Sequence, residues 1–189
     1  MSDNTAVDTG NAGDVIAFLR RQHQEIRTLL DSVLSSTGEA RQRAFDDVRE
    51  LLARHETAEE MVVRPLTRKA PQGEHVADGR MAEENEATQV LADLEKMDVD
   101  STEFSTTFTE FRQSVLTHAE NEETQEFPLL EQTSDHAALE KARSAVEMAE
   151  KMAPTHPHPS AKTTTMNYVA GPFAAMLDRA RDAFSKSSS

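Results

Sequence analysis

Cysteine is absent from this chain. That removes disulfides, thiolate metal sites and cysteine nucleophiles from consideration. Tryptophan is absent as well, and tyrosine occurs once, at Tyr168. Glycine and proline number six and seven, and most fall near the ends or between periodic stretches. Long uninterrupted helices are therefore the expectation. No apolar run approaches the roughly 20 residues a membrane span needs. The opening MSDNTAVDTGNAGD has neither the basic nor the apolar region of a signal peptide, so a cytoplasmic protein is expected. Positive charge is also short: 20 Lys and Arg against 34 Asp and Glu leave a net charge of −14. Such a surface repels phosphate backbones and anionic lipid, which speaks against nucleic acid and membrane as partners.

What is present is helical periodicity over most of 189 residues, enough for one domain with a real core. Residues 1–13 read as a disordered tail. Asp14 is a plausible N-cap for a first helix to about Ser35, with Ile16, Leu19, Ile26, Leu30 and Val33 on one stripe. The vacant member of that stripe is His23. A second helix is expected from about Glu39 to Lys69, its stripe running Ala44, Val48, Leu51, His55, Glu59, Val62 and Leu66. Pro65 should kink it near Met61. Residues 71–79 read as a connection.

A third helix from about Arg80 to Met97 buries Ala87, Val90, Leu91 and Leu94, and one turn back reaches Glu83 and Glu84. A fourth, from about Thr102 to Leu130 and capped by Asp100 or Ser101, buries Phe104, Phe108, Phe111, Val115, His118, Glu122 and Leu129. These four, joined by short connectors, predict an all-α, antiparallel up-down four-helix bundle with additional C-terminal helices. A fifth helix capped at Ser134 or Asp135 completes the domain at 14–152. Residues 153–189 read as a Pro-rich linker and an amphipathic helix over 172–184. The apolar face of that helix (Phe173, Met176, Leu177, Phe184) predicts docking on protein, with a homo-oligomer the first expectation.

The stretch HAENEETQEFPLL from His118 echoes HETAEEMVVRPL from His55. His55, Glu59, Glu60, Pro65 and Leu66 match His118, Glu122, Glu123, Pro128 and Leu129. On a helix, i and i+4 share a face, so each copy points an imidazole and a carboxylate the same way. A single His on an apolar stripe is more often a hydrogen-bonded core residue than a ligand, and a single Glu is usually solvated. Here His23, His55, Glu59, His118 and Glu122 interrupt the stripes of three helices together. Buried carboxylates without counter-charge are costly, and a pair of metal cations offsets that cost.

The set His23, His55-x3-Glu59 and His118-x3-Glu122, followed by Phe127-Pro128, resembles the hemerythrin-like, HHE cation-binding family. The resemblance covers about residues 14–152. It implies two non-haem iron ions joined by an oxo or hydroxo bridge, with carboxylates between them and His at the ends. Dioxygen, hydrogen peroxide and nitric oxide are the small molecules it suggests. The family usually opens its third helix with a His, and this chain has none there. The resemblance sets Glu84 at that place. Periodicity slightly favours Glu83, and His75, in a Gly-flanked loop, ranks third.

Glu56, Glu60, Glu83 and Glu123 are further candidates as ligands, as partners of ligands or as proton relays. For Glu56, Glu60 and Glu123 exposed helix surface is the simpler expectation. His136 is expected to be exposed, and His156 and His158 to lie in linker. A carboxylate in place of imidazole favours Fe(III). Catalase-like, peroxide- or O₂-consuming chemistry is therefore expected over reversible oxygen carriage. The alternative is a di-iron module that binds or senses O₂, NO or iron without turnover. The shortage of oxidisable side chains suits a protein that meets peroxide.

Overall fold

Asp14 caps the first helix as expected: its Oδ1 accepts the Ala17 N–H at 3.0 Å, satisfying a donor left over at the helix start. The structure, a computed structural model, describes residues 13–153. Every regular element among them is helical. Helix α1 spans Val15–Ser35. Helix α2 (Gly38–Ala58), a π turn (Glu59–Val63) and α3 (Arg64–Thr67) follow one another without a break. Helix α4 covers Gly73–Leu94. Helix α5 (Thr102–Asn121), a second π turn (Glu122–Glu126) and α6 (Phe127–Thr133) form the fourth rod. Helix α7 is His136–Met152, capped by Asp135.

The short connections make chain neighbours antiparallel: α1 packs on α2, α4 on α5, and α5 on α1. These rods are the expected bundle, and α7 is an additional helix laid against α1 and α2. No helix among the described residues is long and apolar enough to cross a membrane. The N-terminal tail before Gly13, the linker with His156 and His158, and the helix expected over 172–184 lie outside the described residues, and the expected self-association lies there with them.

Two apolar clusters fill the bundle. One gathers Leu30, Phe45, Val48, Leu94, Phe104 and Phe108 with their neighbours. The other gathers Leu19, Ala58, Val63, Phe127, Leu130 and Val146 with theirs, and includes the inward face of α7. The first, second and fourth rods cross from one cluster to the other, while α4 joins the first cluster through Leu91 and Leu94. At the crossing α1 carries His23, α2 carries His55 and Glu56, the π turn after it carries Glu59, and α5 carries His118. The candidate residues thus form a polar layer sealed between two dry ones.

The expected kink at Pro65 takes the form of a π turn. Proline has no N–H to give the carbonyl four residues back. The residue before it, Arg64, bonds instead to the Glu59 carbonyl, five residues back. Phe127, before Pro128, does the same to Glu122. Each wider turn holds one extra residue. The extra residue corrects the expected stripes. Val62, Leu66 and Leu129 are only half-buried, while Val63, Thr67 and Leu130 are fully buried one position later.

Helix α4 starts at Gly73, seven residues before its expected start, so the expected connection shrinks to a tight joint. Gln72 there takes a left-handed φ of 63°. A Cβ on Gly73 would lie 1.7 Å from the Thr67 carbonyl oxygen. Backbone cannot yield to that contact cheaply, so glycine is required for α4 to pass α3 this closely. Replacing Gly73 by Ala should cost about 1–3 kcal/mol of stability, the usual range for overpacking. Urea unfolding of the metal-free protein measures it. A change below about 0.5 kcal/mol, the range of neutral surface substitutions, would mean the joint relaxes freely.

Candidate metal centre

All six expected ligand residues come together, in two groups. His23, His55, Glu59 and Glu122 make one, and Glu56, Glu84 and His118 make the other. Within each group one ligand atom per residue lies within 4.8 Å of the rest. All seven side chains are buried. Glu56 and Glu60 are 8% exposed, so the expectation of free helix surface for them is corrected: Glu56 lies beside Glu84 of α4 and His118 of α5, and Glu60 is on the π turn that α7 packs against. Glu123 is half-buried. His75 sits on the first turn of α4, exposed and outside both groups, and not in a loop. His136 is exposed as expected.

Each imidazole is gripped from behind. His23 Nδ1 lies 2.8 Å from Glu123 Oε1, and Arg27 also bonds that oxygen. His118 Nδ1 lies 2.8 Å from Glu83 Oε2, while Asn121 donates to Glu83 Oε1. His55 Nδ1 donates to Gln22 Oε1 at 3.1 Å, and Gln22 in turn donates to Glu150 on α7. A carboxylate or amide on the outer nitrogen fixes the tautomer that leaves Nε2 bare, as in proteins that ligate metal through His. The inward atoms lie together: His23 Nε2 is 3.2 Å from Glu122 Oε2, and His118 Nε2 is 3.2 Å from Glu122 Oε1.

Several of these atoms have no hydrogen-bond partner although buried: His23 Nε2, His118 Nε2, Glu56 Oε2, Glu59 Oε1, Glu84 Oε2 and Glu122 Oε2. Unpaired buried polar atoms are costly and rare. Here they belong to the two groups and face inward, and a cation in each group would satisfy them. The donor set of imidazole and carboxylate suits iron and similar divalent ions. The residues therefore fit a two-metal centre.

The electrostatics agree. Burial raises the Glu59 carboxyl well above its ordinary range, with the Glu122 charge adding to it. Burial likewise raises Glu84 to about 7, against the pull of Arg64. Burial opposes charge on Glu122 too, but His118 and Arg64 beside it hold its pKa well below the ordinary value. Burial and the neighbouring His23 lower His55 to about 4. For His118 the carboxylates of Glu122 and Glu56 outweigh burial and raise it. Glu59 and Glu84 are thus the carboxyls whose negative charge burial opposes and the nearby Arg64 does not fully restore.

The residues that sequence reasoning missed are Gln22, Arg64, Thr67, Glu126 and Glu150. Gln22 and Glu150 depend on where α7 packs, and no local pattern announces them. The other three had a signal. The repeat aligns Arg64 with Phe127, Val63 with Glu126 and Thr67 with Leu130, so each polar residue stands opposite an apolar one. All six are buried.

Beside the second group is a cavity of about 30 Å³, lined by Leu52, Leu91, Phe111 and Val115 together with Glu56, Glu84 and His118. It has room for a water-sized or diatomic molecule.

Residues 14–130 match the hemerythrin HHE cation-binding domain. An uncharacterized hemerythrin-like protein of Schizosaccharomyces pombe is 34% identical over 139 residues, covering 71% of this chain and 68% of its own length. A crystal structure of a hemerythrin HHE cation-binding domain-containing protein from Mycobacterium kansasii superposes with a TM-score of 0.66 at 18% identity. That likeness covers 73% of this chain and 85% of the other, and it bears on the fold alone.

Proposed function

Since this chain belongs to the hemerythrin HHE cation-binding family, we propose that it is a non-haem di-iron protein that consumes hydrogen peroxide or O₂. The observation carrying this reading is the set of buried, partnerless atoms from two His and four Glu, gathered with His55 from the four rods of the bundle. His23, His55, Glu59 and Glu122 would hold one ion; Glu56, Glu84 and His118 would hold the other. Iron bound there supplies the electron transfer that side chains cannot. Glu123, Glu83 and Gln22 keep the imidazoles aimed. The two apolar clusters keep bulk water out, which strengthens every charge interaction in the layer. The cavity beside the second group has room for a molecule the size of peroxide or O₂. The carboxylate-rich donor set favours the ferric state over reversible O₂ release.

The test is iron analysis of purified protein together with peroxide-driven O₂ evolution. Two irons per chain and two peroxide molecules giving one O₂ and two waters are expected. A protein without metal would sink the reading. Two irons with no turnover would leave a binding or sensing module in its place.

A further inference from the structure

Arg64 is 2% exposed, at the position the repeat gives to Phe127. Its Nε donates to Glu84 Oε1 at 2.9 Å, and its Nη1 donates to Glu126 Oε2. Its Nη2 meets three carboxylates at once: Glu59 Oε2 at 3.0 Å, Glu84 Oε1 and Glu122 Oε1. One nitrogen at the meeting point of three carboxylates is placed as a metal ion would be. The opposite oxygens of those same three residues, Glu59 Oε1, Glu84 Oε2 and Glu122 Oε2, are the partnerless ones. The guanidinium therefore holds one oxygen of each and leaves the other facing the candidate ion positions. Its own anchor is independent of them. Glu126 belongs to neither group and accepts a further bond from the Thr67 hydroxyl.

We infer that Arg64 is a built-in counter-cation: it keeps the metal-free layer folded, and its charge lowers the affinity for the metal that later enters. The inference rests on the metal reading above. Removing a guanidinium from buried carboxylates leaves like charges together, which a bundle tolerates poorly. Adding a metal beside a fixed positive charge costs Coulomb energy that the variant would not pay. The two effects have opposite signs, and a merely structural arginine would produce only the first.

The test compares the full-length chain with Arg64→Met and Arg64→Lys. Each is stripped with chelator, melted, and titrated anaerobically with ferrous iron. For R64M the metal-free melting temperature should fall by on the order of 10 °C. Its iron dissociation constant should drop by about tenfold or more. R64K keeps the charge without the planar fork. It should melt lower than the wild type when metal-free, yet bind iron within about threefold of it, since the charge term is retained. An R64M that binds iron no more tightly than wild type overturns the inference, as does an unchanged metal-free melt. If R64M folds under neither condition, R64K decides: iron binding tenfold tighter or weaker than wild type overturns the charge argument. A wild-type chain that takes up no iron is a failure of the metal reading alone, and the metal-free melts still report what Arg64 does for folding.

Discussion

Replacing His118 by alanine should remove most of the bound iron and destabilise the metal-free bundle as well. The imidazole Nε2 lies 3.2 Å from Glu122 Oε1 and 3.6 Å from Glu56 Oε2, with its side chain 9% exposed. It serves both groups, by membership in one and by contact with Glu122 of the other. Without it, Glu56 loses the imidazole beside it, and Glu122 stays buried with Arg64 and His23 to meet it. Breaking one partner from a buried ionic cluster costs about 3–5 kcal/mol, since the group left behind is neither solvated nor paired. For a domain of this size that lowers the melting temperature by about 10 °C. The variant also leaves Glu83 without the imidazole it grips, so restoring the contact by a smaller side chain is not available. His136, exposed and paired with Glu140 on its own helix, is the control, and its alanine variant should match wild type. Iron quantified per chain after purification and a thermal melt of the chelated protein decide this. Normal iron content in the His118 variant would end the assignment of that residue to the centre.

His118 was legible in the sequence for a simple reason. Up to Glu59 and Glu122 the helices are regular, so a period of 3.6 carries the apolar stripe onto the candidate ligands. His23 stands where the stripe of α1 lacks an apolar member, and the structure buries it there, stacked on Phe127 at 5.7 Å. Beyond the ligands the period fails, because the turns ahead of Pro65 and Pro128 are π-helical. A stripe extrapolated through them falls one residue short, on Val62, Leu66 and Leu129. The same turns hid Arg64 and Glu126, which look exposed on a straight helix. Glu56 and Glu60 were hidden by something else. Glu56 is buried by α4 and α5, beside Glu84 and His118, and Glu60 lies on the π turn that α7 packs against; both are long-range packing choices that no window of local sequence contains. Gln22 behind His55 is readable only once Glu150 of α7 is in place.

Glu83 and Glu84 of α4 stand on different sides of His118. Glu84 is 2% exposed and its Oε2 is partnerless, facing Glu56 and His118. Glu83 is a third exposed and bonds the far side of His118 at 2.8 Å. Changing Glu84 to Ala should therefore empty the Glu56–Glu84–His118 position, so that iron falls from two per chain toward one. It also removes the oxygen that Arg64 holds through both Nε and Nη2. Changing Glu83 to Ala should leave both positions in existence but weaken iron binding about 10- to 100-fold, the usual loss when the support behind a ligating imidazole is removed. Changing Glu84 to His exchanges an anionic oxygen for a neutral nitrogen. That weakens the preference for the ferric state, so the reduction potential should rise and peroxide turnover should slow. Iron stoichiometry, a redox titration and O₂ evolution separate the three variants. If Glu84→Ala changes none of them while Glu83→Ala strips the metal, Glu83 is the ligand and the helix is turned by one position from the arrangement described. If neither matters, α4 gives the centre no ligand, and the preference for peroxide chemistry over reversible binding loses its physical basis.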